Sequence, residues 1–243
     1  MMEAVLKQEM DKYTSEDIEV WKLLFDRQIE NLKTKGSQHY IDAITDMKDA
    51  LKPSVVPDFK KLNGYFQDTT GWRIKVVPGL IPVEDFFHLL ADKKFCSSTW
   101  LRSKKNLDYL EEPDMFHDIF GHIPLLSNEV FSAFAHEFGK LGLKYIQHEK
   151  ALIQLQRLYW FTIEFGVIRE GEIKAYGAGI MSSYGETNRI AKRECTFFDF
   201  DIEAILHKDF RTDVMQEEYF VIENLEQLYN CLPEAERIIC QQI

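Results

Sequence analysis

The sequence has no two cysteines spaced as a CxxC, no apolar run long enough to span a membrane, no surplus of positive charge, no internal repeat and no low-complexity tract. Each absence removes a class of protein. The four cysteines, Cys96, Cys195, Cys231 and Cys240, are scattered, which argues against a zinc-thiolate site and for reduced thiols in a cytoplasm. The first residues, MMEAVLKQEMDKYTSED, lack the apolar core of a signal peptide, so a soluble chain without a membrane anchor is expected. Lys and Arg number 29 against 40 Asp and Glu, a net charge of −11. Such a field repels polyanions and offers no footprint for nucleic acid.

What is present is ordinary globular composition, 45% hydrophobic and 28% charged over 243 residues, enough to bury a substantial core in a single domain. Ile18, Trp21, Leu24, Phe25, Ile29 and Leu32 recur at helical spacing behind Thr14 and Asp17, which resemble a capping box. Ile41, Ile44, Met47 and Leu51 repeat the pattern until Pro53 and Pro57 interrupt it. Apolar and basic residues alternate from Trp72 to Val76, the period of a short half-buried strand. Beyond VPGLIP a helix is predicted around Phe86, Phe87, Leu89 and Leu90, with Pro82 near its start. Phe131, Phe134, Phe138, Leu141 and Tyr145 mark another. The run LIQLQRLYWFTIEFGVI reads as one buried helix, and YGAGIMSSYGE as a loop whose glycines let backbone approach a ligand closely. The fold class expected is mostly α with a few short β-strands.

Two segments carry chemistry. In PDMFHDIFGHIPLL, His117 and His122 lie five residues apart, an awkward spacing. At roughly 100° per residue an ideal α-helix would point them about 140° apart. Both reach one metal only if the helix is distorted or stops, for which Gly121 and Pro124 supply means. In LYWFTIEFGVI, Glu164 is the one carboxylate of an apolar, aromatic run. Burying it ionised and unpartnered costs several kcal/mol, so it must be exposed, protonated, paired with a cation or bound to a metal. Its apolar neighbours argue against exposure. Two imidazoles and a carboxylate form a facial triad that leaves positions open on Fe(II). The same set holds zinc in hydrolases, although no HExxH helix is present and Asp118 is the only candidate base beside the ligands. The residues alone leave the metal undecided.

The segments VPGLIPVEDF, YLEEPDMFHDIFGHIPLL, LYWFTIEFG and IKAYGAGIMSSYGE together resemble the pterin-dependent aromatic amino acid hydroxylases, in particular their compact bacterial members. The likeness runs from Val77 to Glu186, is faint over the N-terminal helices and thin beyond Glu186, where QEEYFV only partly follows the family's strand. It implies the aromatic amino acid hydroxylase catalytic fold in one domain over 1–243, with an N-terminal helical region over 1–52 and the iron, pterin and substrate core over 72–186. It implies that His117, His122 and Glu164 hold Fe(II), and that Phe86 stacks on a tetrahydropterin whose polar edge meets the backbone of Gly79, Leu80 and Ile81, with Asp118 nearby. Arg102 would grip the substrate carboxylate, oriented by Asp114, with Ser182 as a second contact. Pro113, Trp160 and Gly179 would line the aromatic pocket. With O2 as co-substrate the expected reaction converts phenylalanine to tyrosine. Trp160 favours phenylalanine over tryptophan, the nearest alternative substrate. Leu110 stands where animal members carry threonine. With no regulatory domain ahead of the core and no heptad tail behind it, the expectation is a monomer without feedback control.

Overall fold

In the computed structural model, residues 6–108, 110 and 112–243 are described; the first five residues of the predicted N-terminal region, and Tyr109 and Glu111 of the YLEEPD segment, lie outside them. After a short 3-10 turn (Met10–Lys12) comes helix α1 (Ser15–Leu32), capped as its sequence predicts. The Thr14 hydroxyl accepts from Asp17 N–H at 3.2 Å and the Asp17 carboxylate accepts from Thr14 N–H at 2.8 Å, which satisfies two of the helix's orphan donors. Val20, Trp21, Leu24 and Phe25 enter the core from α1, each apolar side chain of this size contributing about 1.5–3 kcal/mol when fully buried.

Helix α2 (Gln38–Asp46) is shorter than its apolar period. Past Asp46 the chain unwinds into turns, yet Met47 and Leu51 remain buried, so the period survives after the helix has ended. Helix α3 (Phe59–Gln67) was not expected from the sequence. Asp58 caps it by accepting from Lys60 N–H, and Phe59, Leu62 and Phe66 are its buried face. Strand β1 (Arg73–Val76), helix α4 (Val83–Ala91) and strand β2 (Lys94–Ser97) follow, with β1 and β2 paired in parallel. Helix α5 (Glu129–Lys144) packs along α4, the Phe87 and Phe138 rings lying 5.6 Å apart.

The predicted long helix from Leu152 to Ile168 is three pieces. Helix α6 (Glu149–Tyr159) runs into a π-helical turn (Trp160–Glu164), and Val167 begins strand β3 (Val167–Glu170). A continuous apolar run cannot by itself separate a buried helix from a buried strand. Strand β4 (Glu172–Ala175) returns antiparallel to β3. The predicted loop after Tyr176 is two short helices, α7 (Ala178–Met181) and α8 (Tyr184–Ala191). Ser183 caps α8 by accepting from Glu186 N–H, so a small polar residue that suggested a loop serves instead as a helix start. Strand β5 (Thr196–Asp199), helix α9 (Ile202–His207), strand β6 (Glu218–Ile222) and helix α10 (Glu226–Cys240) complete the order.

The larger sheet has the order β4-β3-β6-β5, with β3–β6 and β5–β6 parallel. Buried apolar side chains from α1 through α10 form one contiguous cluster. The architecture is mostly helical with two small sheets, as expected. No helix among the described residues is long and apolar enough to cross a membrane.

Candidate metal centre and the cleft around it

The two histidines sit on a second π-helical turn, Phe116–His122. Its backbone bonds run from i to i+5, so residues five apart lie about one turn apart on one face. The extra residue per turn turns the awkward spacing into a productive one, and it is the form the expected distortion takes: the π turn contains Gly121 and ends just before Pro124. Tyr40, buried on α2, donates its hydroxyl proton to the Phe120 carbonyl within the turn. Glu164 ends the other π turn, closed by Phe165 N–H donating to Trp160 O at 2.8 Å. All three prospective ligands therefore stand on register-shifted helix.

Their donor atoms converge. His122 Nε2 lies 3.0 Å from Glu164 Oε1, His117 Nε2 lies 3.7 Å from Glu164 Oε2, and the two imidazole Nε2 atoms are 3.1 Å apart. One ligand atom from each residue falls within 4.8 Å of the others, the sole such cluster among the described residues. Burial lowers His117 to about 4, against the opposing pull of Glu164. Burial pushes the Glu164 carboxyl up, but the imidazoles of His122 and His117 and hydrogen bonds from His122 and Tyr159 outweigh it and hold the group at about 2. At neutral pH the set thus offers a neutral imidazole and an ionised carboxylate, the forms that bind a metal.

Second partners fix the ligands. The Ser182 hydroxyl donates its one proton to Ala178 O at 2.8 Å and lies 2.9 Å from His117 Nδ1. His117 Nδ1 must then be the donor, which leaves Nε2 unprotonated and facing the cluster. The Phe95 ring lies 4.4 Å from the His122 ring. Glycine at 177 is a packing requirement, since a Cβ there would stand 2.3 Å from Gly166 N and 2.4 Å from Glu164 O. The close approach expected of the glycine-rich run is, at this position, to the backbone of Glu164.

The cluster opens onto a cleft of about 440 Å³ lined by Gly79, Leu80, Ile81, Phe86, Pro113, Asp118 and Trp160 together with the three ligands. Leu80 is 73% exposed at its mouth, and the Phe86 ring meets Tyr159 edge-on at 5.2 Å. Trp160 stacks on Phe210 and meets Phe165 at a tilt, each centroid 4.4 Å away, and its indole N–H donates to Gln216. Asp118 is pushed up to about 7 by burial, against the Ser98 N–H that donates to it at 2.9 Å. Gly179 faces the Phe165 ring, where a Cβ would meet Cζ at 3.0 Å.

Arg102 and Asp114 form a buried bidentate pair. Arg102 Nε and Nη2 donate to the two carboxylate oxygens at 2.9 and 2.8 Å, and Nη1 donates to Leu107 O at 3.3 Å. Burial alone would raise Asp114, yet the guanidinium holds it below the usual carboxylate value. Asp114 also accepts from His117 N–H at 3.2 Å, which ties the pair to the metal turn.

Tyr159, Phe95, Phe138 and Phe210 line the same cleft and were not expected there from the sequence, in which Phe138 marks only part of a helix face. Tyr159 had a signal, being five residues before Glu164 and beside Trp160. Phe210 had none, because only the tertiary fold brings it from beyond α9. A larger hollow of about 630 Å³, lined by Phe198, Phe200, Phe220 and Glu234, contains none of these residues.

The chain matches the family model of the biopterin-dependent aromatic amino acid hydroxylases over residues 8–240, a wider stretch than the segments from Val77 to Glu186 that carry the resemblance. It is 44% identical to the phenylalanine-4-hydroxylase of Vibrio cholerae over 216 residues, covering 86% of this chain and 72% of the relative. It is 40% identical to that of Pseudomonas aeruginosa, covering 91% and 84%. Among solved structures, phenylalanine hydroxylase of Chromobacterium violaceum with bound oxidised Fe(III) superposes with a TM-score of 0.93 at 38% identity, covering 98% of this chain and 86% of that one. The same enzyme with iron(III) and 7,8-dihydrobiopterin gives 0.91 at 38% identity, covering 98% and 85%. The chain belongs to the biopterin-dependent aromatic amino acid hydroxylase family.

Proposed function

We propose that the chain is an iron- and tetrahydropterin-dependent monooxygenase that hydroxylates L-phenylalanine to L-tyrosine with O2. The observation that carries this is the convergence of His117, His122 and Glu164 on one point at the floor of an aromatic cleft. Three ligands from one side leave the remaining positions of a six-coordinate metal open towards the cleft. When bound, Fe(II) with tetrahydropterin as reductant supplies the activation of dioxygen that no side chain can.

The residues' own tasks follow from their geometry. His117, His122 and Glu164 hold the iron, with Ser182 fixing the His117 tautomer. Phe86 presents a ring for the pterin to stack on, beside the backbone of Gly79, Leu80 and Ile81 and the carboxyl of Asp118. Arg102 has five N–H donors, of which three are committed, among the described residues, to Asp114 and Leu107; the other two are suited to the substrate carboxylate. Ser182 keeps one acceptor site, suited to the substrate ammonium. Pro113, Trp160 and Gly179 bound the space for the ring, and the apolar walls exclude water.

The reading takes the chain as one catalytic domain and a monomer in a reducing cytoplasm. A single contiguous core supports one domain and four free thiols a reducing compartment, and the net charge of −11 fits a small-molecule rather than a nucleic-acid partner. The test is to load the purified protein with Fe(II), supply tetrahydropterin and phenylalanine, and follow oxygen uptake and tyrosine. Phenylalanine should exceed tryptophan in kcat/KM, and zinc should support no oxygen uptake. Full activity in Glu164→Ala would sink the assignment.

A further inference from the structure

Helix α1 contributes nothing to the lining of the cleft, yet two consecutive residues on it touch both elements assigned to the amino acid's charged end. Successive residues of a helix point about 100° apart, and Arg27 and Gln28 use that divergence. Arg27 Nη2 donates to Leu107 O at 3.1 Å, the carbonyl that also accepts from Arg102 Nη1 at 3.3 Å. Its Nη1 pairs with Asp108, and its guanidinium lies over the Tyr184 ring, 5.2 Å from the centroid. Gln28, 2% exposed, donates from Nε2 to Thr187 Oγ1 at 2.9 Å and lies 3.4 Å from Ser183 O and 3.5 Å from Ile180 O. Those carbonyls flank Ser182.

We propose that Arg27 and Gln28 are positioning residues that set the separation between Arg102 and Ser182, and so determine how well the enzyme recognises the carboxylate and ammonium of a free amino acid. The inference rests on the reading that Arg102 and Ser182 hold that end of the substrate. Arg102 is anchored on one side by Asp114 and on the other by Leu107 O. Both anchors lie outside regular elements, but Asp114 is fully buried and also bonded to His117 N–H, whereas Leu107 O is held from outside by the Arg27 side chain. Through Tyr184 the same guanidinium reaches the start of α8, two residues beyond Ser182. The Arg27–Asp108 pair is a weak stabiliser, because Asp108 is 84% exposed and exposed pairs contribute little. Its removal should therefore be felt in recognition before it is felt in folding.

The test is steady-state kinetics on the Fe(II)-loaded enzyme. Arg102→Gln should raise KM for phenylalanine. Arg27→Gln should raise the same KM about tenfold while leaving the KM for tetrahydropterin, the metal stoichiometry and kcat near wild type. Arg27→Lys, which keeps the charge but loses the fork, should fall between. In the Arg102→Gln background the Arg27 change should add less than about twofold, since the two act through one contact. If Arg27→Gln melts too low to assay, Asp108→Asn should give the same selective rise, about two- to threefold, from an exposed position. A raised KM in Arg102→Gln with none in Arg27→Gln or Asp108→Asn overturns the brace alone. An unchanged KM in Arg102→Gln overturns the substrate reading and the brace with it. An Arg27 effect shared equally by the pterin, or undiminished in the double variant, also overturns the brace.

Discussion

At the scale of single residues, the metal site is a set of opposed burial costs, and its pH behaviour follows from their signs. His117 is lowered from 6.5 to about 4, so between those values the unfolded chain binds the extra proton and stability falls as pH falls. Asp118 is raised from 3.8 to about 7, so over that window the folded state holds the extra proton and stability falls as pH rises. The two oppose each other between about pH 4 and 6.5 in the metal-free protein. Asp118→Asn keeps an acceptor for Ser98 N–H and removes only the second effect. Thermal melts of the metal-free variant and wild type at pH 4.5 and 7 should therefore show the variant gaining stability relative to wild type as pH rises. A gain that shrinks with pH contradicts the assignment. Glu164, lowered from 4.5 to about 2, adds stability that is lost only as pH falls through that lower window. Ser182 acts through His117. Ser182→Ala should weaken metal affinity about 10- to 100-fold, read by competition with a chelating dye, without abolishing folding.

At the scale of elements, the site depends on close approach of the start of α7 to the end of the π turn Trp160–Glu164. Gly177→Ala would put a methyl group 2.3 Å from Gly166 N and 2.4 Å from Glu164 O, both backbone, so the neighbours cannot rotate away. Overpacking of this kind costs about 1–3 kcal/mol or more, a fall in Tm of at least about 2–4 °C in a chain this size, and metal affinity should drop with it because Glu164 must move. A calorimetric Tm within a degree of wild type, with metal binding intact, rules this out. Elements were unequally legible in the sequence. The capping box of α1 and the apolar face of α5 could be read directly, because local chemistry decides them. The residues that converge could be picked out too, since a lone carboxylate in YWFTIEFG has few destinations. The π register could not, as it changes no residue and shows only as one extra position in a turn. Nor could the meeting of Phe210 with Trp160, the break of the buried run at Glu164 into strand β3, or the capping of α8 by Ser183, where tertiary packing decides what a short apolar or small-residue stretch becomes.

At the scale of the whole molecule, α1, α2, α7 and both π turns share one apolar cluster with the proposed metal ligands at its edge, so metal binding there should be linked to global stability. A ligand that binds only the folded state adds about 2.7 kcal/mol at 100 times its Kd. Adding Fe(II), or Co(II) as an air-stable substitute, should raise Tm by several degrees and a chelator should reverse it, while Glu164→Ala should not respond. An equal rise in that variant would place the stabilising ion elsewhere.

The two π turns have a consequence for any fragment of the protein. A π-helix is rare and short because its wider coil is a poor local arrangement, so what holds it open here is contact with distant partners such as Tyr40 on Phe120. A synthetic peptide spanning 113–126 has no such partners. It should wind as ordinary helix or coil, carry its imidazoles on opposite sides and bind iron no better than any chain with two histidines. The motif that announces the site in the sequence is thus chemically silent until the rest of the chain has folded around it.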